Sequence, residues 1–257
     1  MSSVSQRRDG PVAAVVIGLA LVLCGCSTTQ QTAARLQLND ARLRATATRV
    51  RLTATASGAP VRVSGLSLLA QGRHRATAVV SLENPSARAV SDLPISVGYR
   101  LGGRTVYLNG ATGLSYFDNH IPSVAPHGSL RWVDTTAGTI PRGARPFAYL
   151  GARPTAPVGT FTLPDISVGT SQEQSAAGGG EALTLRLTNR TSIPQYQLPV
   201  YAVSTVSGRV VAAADRSLTE LAGGAHVTLR IVLDGSLGSA AGAAGSVRVQ
   251  APPTIFR

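Results

Sequence analysis

From residue 59 onward the chain alternates apolar and polar positions with a period of two. Arg75 to Leu82 (RATAVVSL) and Ala182 to Leu187 (ALTLRL) show the alternation, and β-branched residues are frequent in both segments. This is the pattern of a strand that buries one face. PISVGYRL and RTVYLNG flank Gly102-Gly103, while LPVYAVSTV and RVVAAA flank Ser207-Gly208. Both pairs predict tight hairpins, because glycine takes positive φ at little cost and small polar residues tolerate it. A loop containing Pro, His or Gly then precedes LRWVD and LRIVLD. Strands of about six residues with turn signals every eight to twelve predict small antiparallel sandwiches.

The pattern occurs twice. An offset of 105 lays residues 82–106 over 187–211 and pairs Leu82 with Leu187, Asn84 with Asn189, Leu93-Pro94 with Leu198-Pro199, Gly103-Arg104 with Gly208-Arg209, and Val106 with Val211. Further on, an offset of 99 pairs His127 with His226, Leu130-Arg131 with Leu229-Arg230, and Val133 with Val232. On this reading the first repeat carries six extra residues, His127 and His226 share a structural place at a loop entering a strand, and Trp132 fills the first core where the second has Ile231. Upstream, VRVSGLSLL (61–69) aligns with TFTLPDISV (160–168). The chain beyond the N-terminal region thus reads as a tandem of related units, 59–156 and 157–253. Each Asn is followed two residues on by Ser86 or Thr191, which predicts a turn closed by short polar side chains at a strand end.

The order of strand, Asn-x-Ser/Thr, Leu-Pro, strand, Gly-Arg hairpin, loop and strand resembles the immunoglobulin-like modules of bacterial surface and periplasmic proteins. The resemblance covers most of 59–253. It implies an all-β fold of two tandem immunoglobulin-like antiparallel β-sandwiches, with a role in binding, spacing or assembly. The disulfide and the tryptophan between cysteines that mark antibody domains are missing, so the likeness is one of architecture.

The N-terminal region follows a different pattern. Arg7 and Arg8 precede an apolar run at 11–23 (PVAAVVIGLALVL), too short to span a bilayer comfortably and suited to an export signal. Leu23-Cys24-Gly25-Cys26 and the polar run Ser27 to Gln31 follow. This resembles the lipobox of bacterial lipoproteins. The resemblance implies that residues 1–25 are a signal peptide removed before Cys26, and that Cys26 carries the lipid that anchors the chain. It places the protein outside the cytoplasm on the bacterial cell membrane, or on the outer membrane of a two-membrane envelope. Residues 26–58 then form a basic stalk. Thr28 to Thr48 has a composition that permits a helix, and Leu43 to Ala47 equally alternates like a strand. Between the units, 153–159 (RPTAPVG) reads as a semi-rigid spacer.

Charge and chemistry narrow the function. All 24 basic residues are arginine against 12 acids, a net +12. The missing lysine excludes Schiff-base and P-loop lysine chemistry. Lipidation of Cys26 and loss of Cys24 would leave no thiol for catalysis or metal. The surplus lies toward the anchor: five arginines and one acid in 27–58, ten and four in 59–156, seven and six in 157–257. Anionic lipid headgroups or envelope polymers are the partners such a charge implies, with the membrane reached through the lipid and an envelope protein as a further partner. Export removes nucleic acid from consideration. The densest polar cluster, Asn109 to Ser123, holds Ser115, Tyr116, Phe117, Asp118 and His120. No nucleophile elbow accompanies them, and Asp118, His120 and His127 match no zinc spacing. No catalytic residue, metal or cofactor is expected. Tyr116, Phe117 and His120 are the candidate partner-contact loop, with closure of the sandwich end as the alternative. The function expected is a non-enzymatic binding or scaffolding lipoprotein of the cell envelope. The alternative is an accessory or ligand-binding lipoprotein of a transport or secretion system.

Overall fold

The structure, a computed structural model, describes residues 60–71, 75–110, 116–137, 140–151, 162–175, 181–235 and 246–255. Cys26, the signal segment, the stalk and the 153–159 spacer lie outside them. Within them the protein is nearly all strand, and every pairing is antiparallel.

In the first unit β1 (Arg62–Gln71), β2 (Arg75–Glu83) and β6 (Ser129–Ala137) form one sheet in the order β1-β2-β6. The second sheet centres on β3 (Val90–Leu101). β7 (Arg145–Leu150) runs along one side of it, and β4 (Arg104–Tyr107) and then β5 (His120–Val124) along the other. The second unit repeats this plan. β8 (Ile166–Ser175), β9 (Glu181–Asn189) and β12 (His226–Gly235) stand for β1, β2 and β6; β13 (Ser246–Gln250) and β10 (Gln195–Val206) stand for β7 and β3. A single β11 (Arg209–Leu221) takes the place of β4 and β5, and two residue pairs also join it to β12.

Local chemistry accounts for the repeat. The hairpin glycines Gly102 and Gly103 both have positive φ, as do Ser207 and Gly208, which gives the turn twist that right-handed strands need. Asp92 and Gln197, each just before Leu-Pro, also lie in the left-handed region, and each ladder skips that position without a change of register. Asn84 and Asn189 are buried at the ends of β2 and β9. Each Oδ1 accepts from the backbone N–H and hydroxyl of Ser86 or Thr191, and each Nδ2 donates to the carbonyl of Arg88 or Ile193. The same amide reaches the facing sheet, at Val124 and Ala125 in one unit and Leu221 in the other. The expected turn is therefore also a bolt between sheets.

The register of the repeat differs from the sequence alignment. Leu93 pairs with Ile121 where Leu198 pairs with Leu218, and Leu82 pairs with Leu130 where Leu187 pairs with Val227. The offset is thus 97 after the insertion, which holds eight residues rather than six. His127 corresponds to Gly224, not His226: both have positive φ, and their N–H groups donate to the carbonyls of Ser86 and Thr191. Trp132 corresponds to Leu229 rather than Ile231. A slip of two leaves every side chain on its own face, so alternation alone cannot reveal it. The first strand follows the offset of 105, since Val63 faces Leu82 and Val168 faces Leu187, so residues 61–69 correspond to 166–174 and not to TFTLPDISV (160–168), an error of six residues that again leaves the alternation in phase.

The two units are not beads on a spacer. β2 and β10 are buried on both faces, and Val79 and Val133 of the first unit share one apolar cluster with Tyr201, Val203 and Ala213 of the second. Leu183, Leu185 and Leu187 close the second core against Leu198, Val200 and Ala202 on the other face of β10. Polar contacts fix the contact between units. The Gln250 side chain donates to Ser129 O at 2.9 Å and accepts from Arg131 N at 2.9 Å, acting as a strand along the free edge of β6. Ser123 Oγ donates to Pro253 O at 2.7 Å, and Thr135 Oγ1 to Asp215 Oδ1 at 2.6 Å.

Candidate functional site: a basic aromatic face and an acidic cleft

The insertion between β4 and β5 is organised by Asn109, which the sequence did not single out. Its Oδ1 accepts from Val97 N, and its Nδ2 donates to Ile95 O and Asp118 O. The side chain thus satisfies β3 where its neighbour strand is interrupted. A short 3-10 turn, Tyr116–Asp118, leads into β5. Phe117 is only 7% exposed, and its carbonyl accepts the indole N–H of Trp132 at 3.1 Å. His120 is buried to a similar degree in the β3–β5 ladder, with Nδ1 2.5 Å from Asn119 Oδ1. Phe117 and His120 are therefore not offered to a partner. Burying Phe117 removes its apolar surface from water. Tyr116 sits in the turn, its side chain outside the described residues.

Between the units lies a cavity of about 430 Å³ lined by Asp118, Asp134, Thr135, Ala214, Asp215, Arg216, Ile231 and Val232. Three of the 12 acids of this basic chain meet here. Asp134 is 3% exposed, and its Oδ2 has no hydrogen-bond partner among the described residues. Burial pushes its carboxyl well above the ordinary carboxylate range, and the charges of Asp118 and Asp215 push it the same way. Tyr201, opposite Asp215 in the β10–β11 ladder, is buried with its hydroxyl also unpartnered. Its phenol is raised by that burial first and then by Asp215, Asp118 and Asp134. The cleft can thus hold protons and attract a cation. Among the described residues no group of three or more His, Cys, Asp or Glu side chains is placed to hold a metal ion.

A second surface lies on the outward side of the β4-β3-β7 sheet. The register puts Gly98 opposite Tyr107 and Phe147, Arg100 opposite Thr105 and Arg145, and Ser96 opposite Tyr149. Ile95, Val97 and Leu150 point the other way into the core. Phe147 and Tyr149 stack at 4.9 Å and 27°, and Tyr107 meets Phe147 edge-on at 5.4 Å and 84°. The Arg100 guanidinium lies 5.6 Å from the Phe147 centroid and 5.7 Å from that of Tyr149, and donates to the Tyr149 hydroxyl. Cation–π attraction and the hydrogen bond hold it against the rings. Segments 95–108 and 141–150 carry Arg100, Arg104, Arg142 and Arg145 and no acid. Sequence reasoning missed this face. Its only local signal was the absence of acids in two aromatic-containing hairpin segments.

No protein-family model matches the chain, and no curated protein matches it. Among solved structures, the crystal structure of red sea bream transglutaminase aligns over 68% of this chain and 27% of its own, at 12% identity and a TM-score of 0.22. The chain thus spans just over a quarter of that protein's length. A likeness at that score carries no argument about fold or activity.

Proposed function

We propose that the protein is a lipid-anchored, extracytoplasmic, non-enzymatic module that binds an anionic component of the cell envelope. The observation that carries this reading is the outward face of β3, β4 and β7, where Arg100 and Arg145 stand beside a set of aromatic rings and the two segments that build the face hold no acid. Charge of one sign on a surface raises the local concentration of the opposite sign and favours anionic partners. The apolar run ending in Leu23-Cys24-Gly25-Cys26 supports the anchor, and arginine-rich residues 27–58 would lie next to it. Packing of the two units face to face suits a rigid spacer that presents this surface away from the membrane.

The test has two readouts on the protein expressed in a lipoprotein-processing bacterium. Mass spectrometry of the membrane fraction should find an N-terminal peptide beginning at Cys26 and carrying acyl mass; an intact N-terminus removes the anchor. The purified full chain should be retained on a dextran sulfate matrix and released by the paired substitution Arg100→Ala and Arg145→Ala. Unchanged retention would remove the binding face. The cleft of about 430 Å³ favours a second reading, a ligand-binding lipoprotein of a transport or secretion system. That reading predicts thermal stabilisation by a small cationic ligand.

A further inference from the structure

We propose that the outward face of β3, β4 and β7 is a binding site for an acidic polysaccharide, one whose sugar rings stack on Tyr107 and Tyr149 while its acid groups pair with Arg100 and Arg145. The inference rests on the binding reading above and names its ligand class. The first ground is where the aromatic residues are. The chain has one Trp, six Tyr and four Phe, and three of these eleven rings lie together on the solvent side of a single sheet. The core on the other side of that sheet is built from Ile95, Val97 and Leu150.

The second ground is layering. Phe147 is 8% exposed and forms the floor. A Cβ on Gly98 would come within 2.7 Å of its ring, so the ring is seated against bare backbone. Tyr107 and Tyr149 are half-buried around it, and Arg100, Thr105 and Arg145 are exposed. A ligand approaching this face meets ring carbon and hydroxyl first, with guanidinium groups across the same surface. A pyranose offers matching chemistry. Its axial C–H groups lie on aromatic faces, its hydroxyls meet Tyr and Thr hydroxyls, and a carboxylate or phosphate substituent takes the planar donor fork of arginine. A ringless polyanion would use the arginines alone. An anionic bilayer would also use them, but a buried Phe147 and half-buried Tyr107 and Tyr149 give it no ring that projects freely toward the acyl region.

The third ground is charge: Arg100 and Arg145 stand opposite each other on the face, and the two segments that build it hold no acid.

The experiment titrates the full-length chain in detergent against four probes: oligogalacturonate, polyacrylate of matched charge density, neutral dextran, and vesicles of phosphatidylglycerol. Oligogalacturonate should bind more tightly than polyacrylate. Tyr149→Ala and Tyr107→Ala should each weaken oligogalacturonate binding roughly tenfold, about 1.4 kcal/mol, and leave polyacrylate unchanged. Tyr149→Phe, which keeps the ring, should retain most of the affinity and separates stacking from a folding defect. Arg145→Gln should weaken both polyanions. Equal binding of both polyanions with no effect of Tyr149→Ala overturns the polysaccharide while leaving the anionic face standing. Binding to vesicles alone replaces the polysaccharide with a lipid surface. Loss of all anionic binding overturns the inference and the reading beneath it together.

Discussion

Asn84→Ala should be among the most damaging single substitutions in the first unit. Asn84 is 1% exposed and makes five hydrogen bonds. Its amide donates to Arg88 O at 2.7 Å and Ala125 O at 3.0 Å, with a longer approach to Val124 O at 3.3 Å; its Oδ1 accepts from Ser86 N at 3.1 Å and Ser86 Oγ at 2.7 Å. At about 1 kcal/mol net for each of the four shorter bonds, the loss is about 4 kcal/mol. Water entering beside exposed Arg88 recovers part of this, whereas Val124 O, deeper in the sandwich, keeps its desolvation cost. A loss of about 3 kcal/mol remains. Asn84→Asp is a stricter probe. It keeps the acceptor but sets a carboxylate against three carbonyl oxygens, so it should be at least as damaging at neutral pH and should recover in acid, where a protonated carboxyl can donate one bond. The assay is urea unfolding followed by fluorescence of Trp132, the chain's single tryptophan, which is fully buried in the first unit. A loss below about 1 kcal/mol for Asn84→Ala, with no difference between Ala and Asp, would refute the view that this amide bolts the two sheets together.

Asp134 gives the molecule a pH dependence of defined sign. Its carboxyl is raised in the folded state, so the native protein binds more protons than the unfolded chain. Its stabilising contribution is full below the unfolded value near 4 and is lost as pH rises through the folded value, at up to about 1.4 kcal/mol per pH unit. Thermal melts should show a midpoint that falls with rising pH in that window, and Asp134→Asn should flatten the slope; parallel slopes would show that the cleft does not hold this proton. Gly98→Ala would set a Cβ 2.0 Å from Val106 O and 2.7 Å from the Phe147 ring. Because the first clash is with backbone, β4 must move from β3. The expected cost is about 3 kcal/mol by urea unfolding, with weakened retention on dextran sulfate.

The sequence by itself determined the local grammar of this protein. Period-two alternation marks β2 and β9, Gly102-Gly103 and Ser207-Gly208 mark the hairpins, and the Asn-x-Ser/Thr turns are legible because neighbours in the chain make those interactions. The stretch of the repeat from 82 to 106 was legible for the same reason, but the first strand was not, because the offsets of 99 and 105 both keep its alternation in phase. Past the insertion, local pattern no longer sufficed. Offsets of 99 and 97 put the same faces inward, and only the pairing of β2 with β6 and of β9 with β12 chooses between them. Tertiary structure alone decided the rest. Val79 looks like an excess apolar residue in an alternating strand until the second unit covers it. Asp118, Asp134 and Asp215 come from three distant segments and meet because the units pack face to face. Arg100, Tyr107, Phe147 and Tyr149 share a face because β7 pairs with β3 in the register that sets Phe147 over Gly98, and no local periodicity encodes which strand returns to which edge.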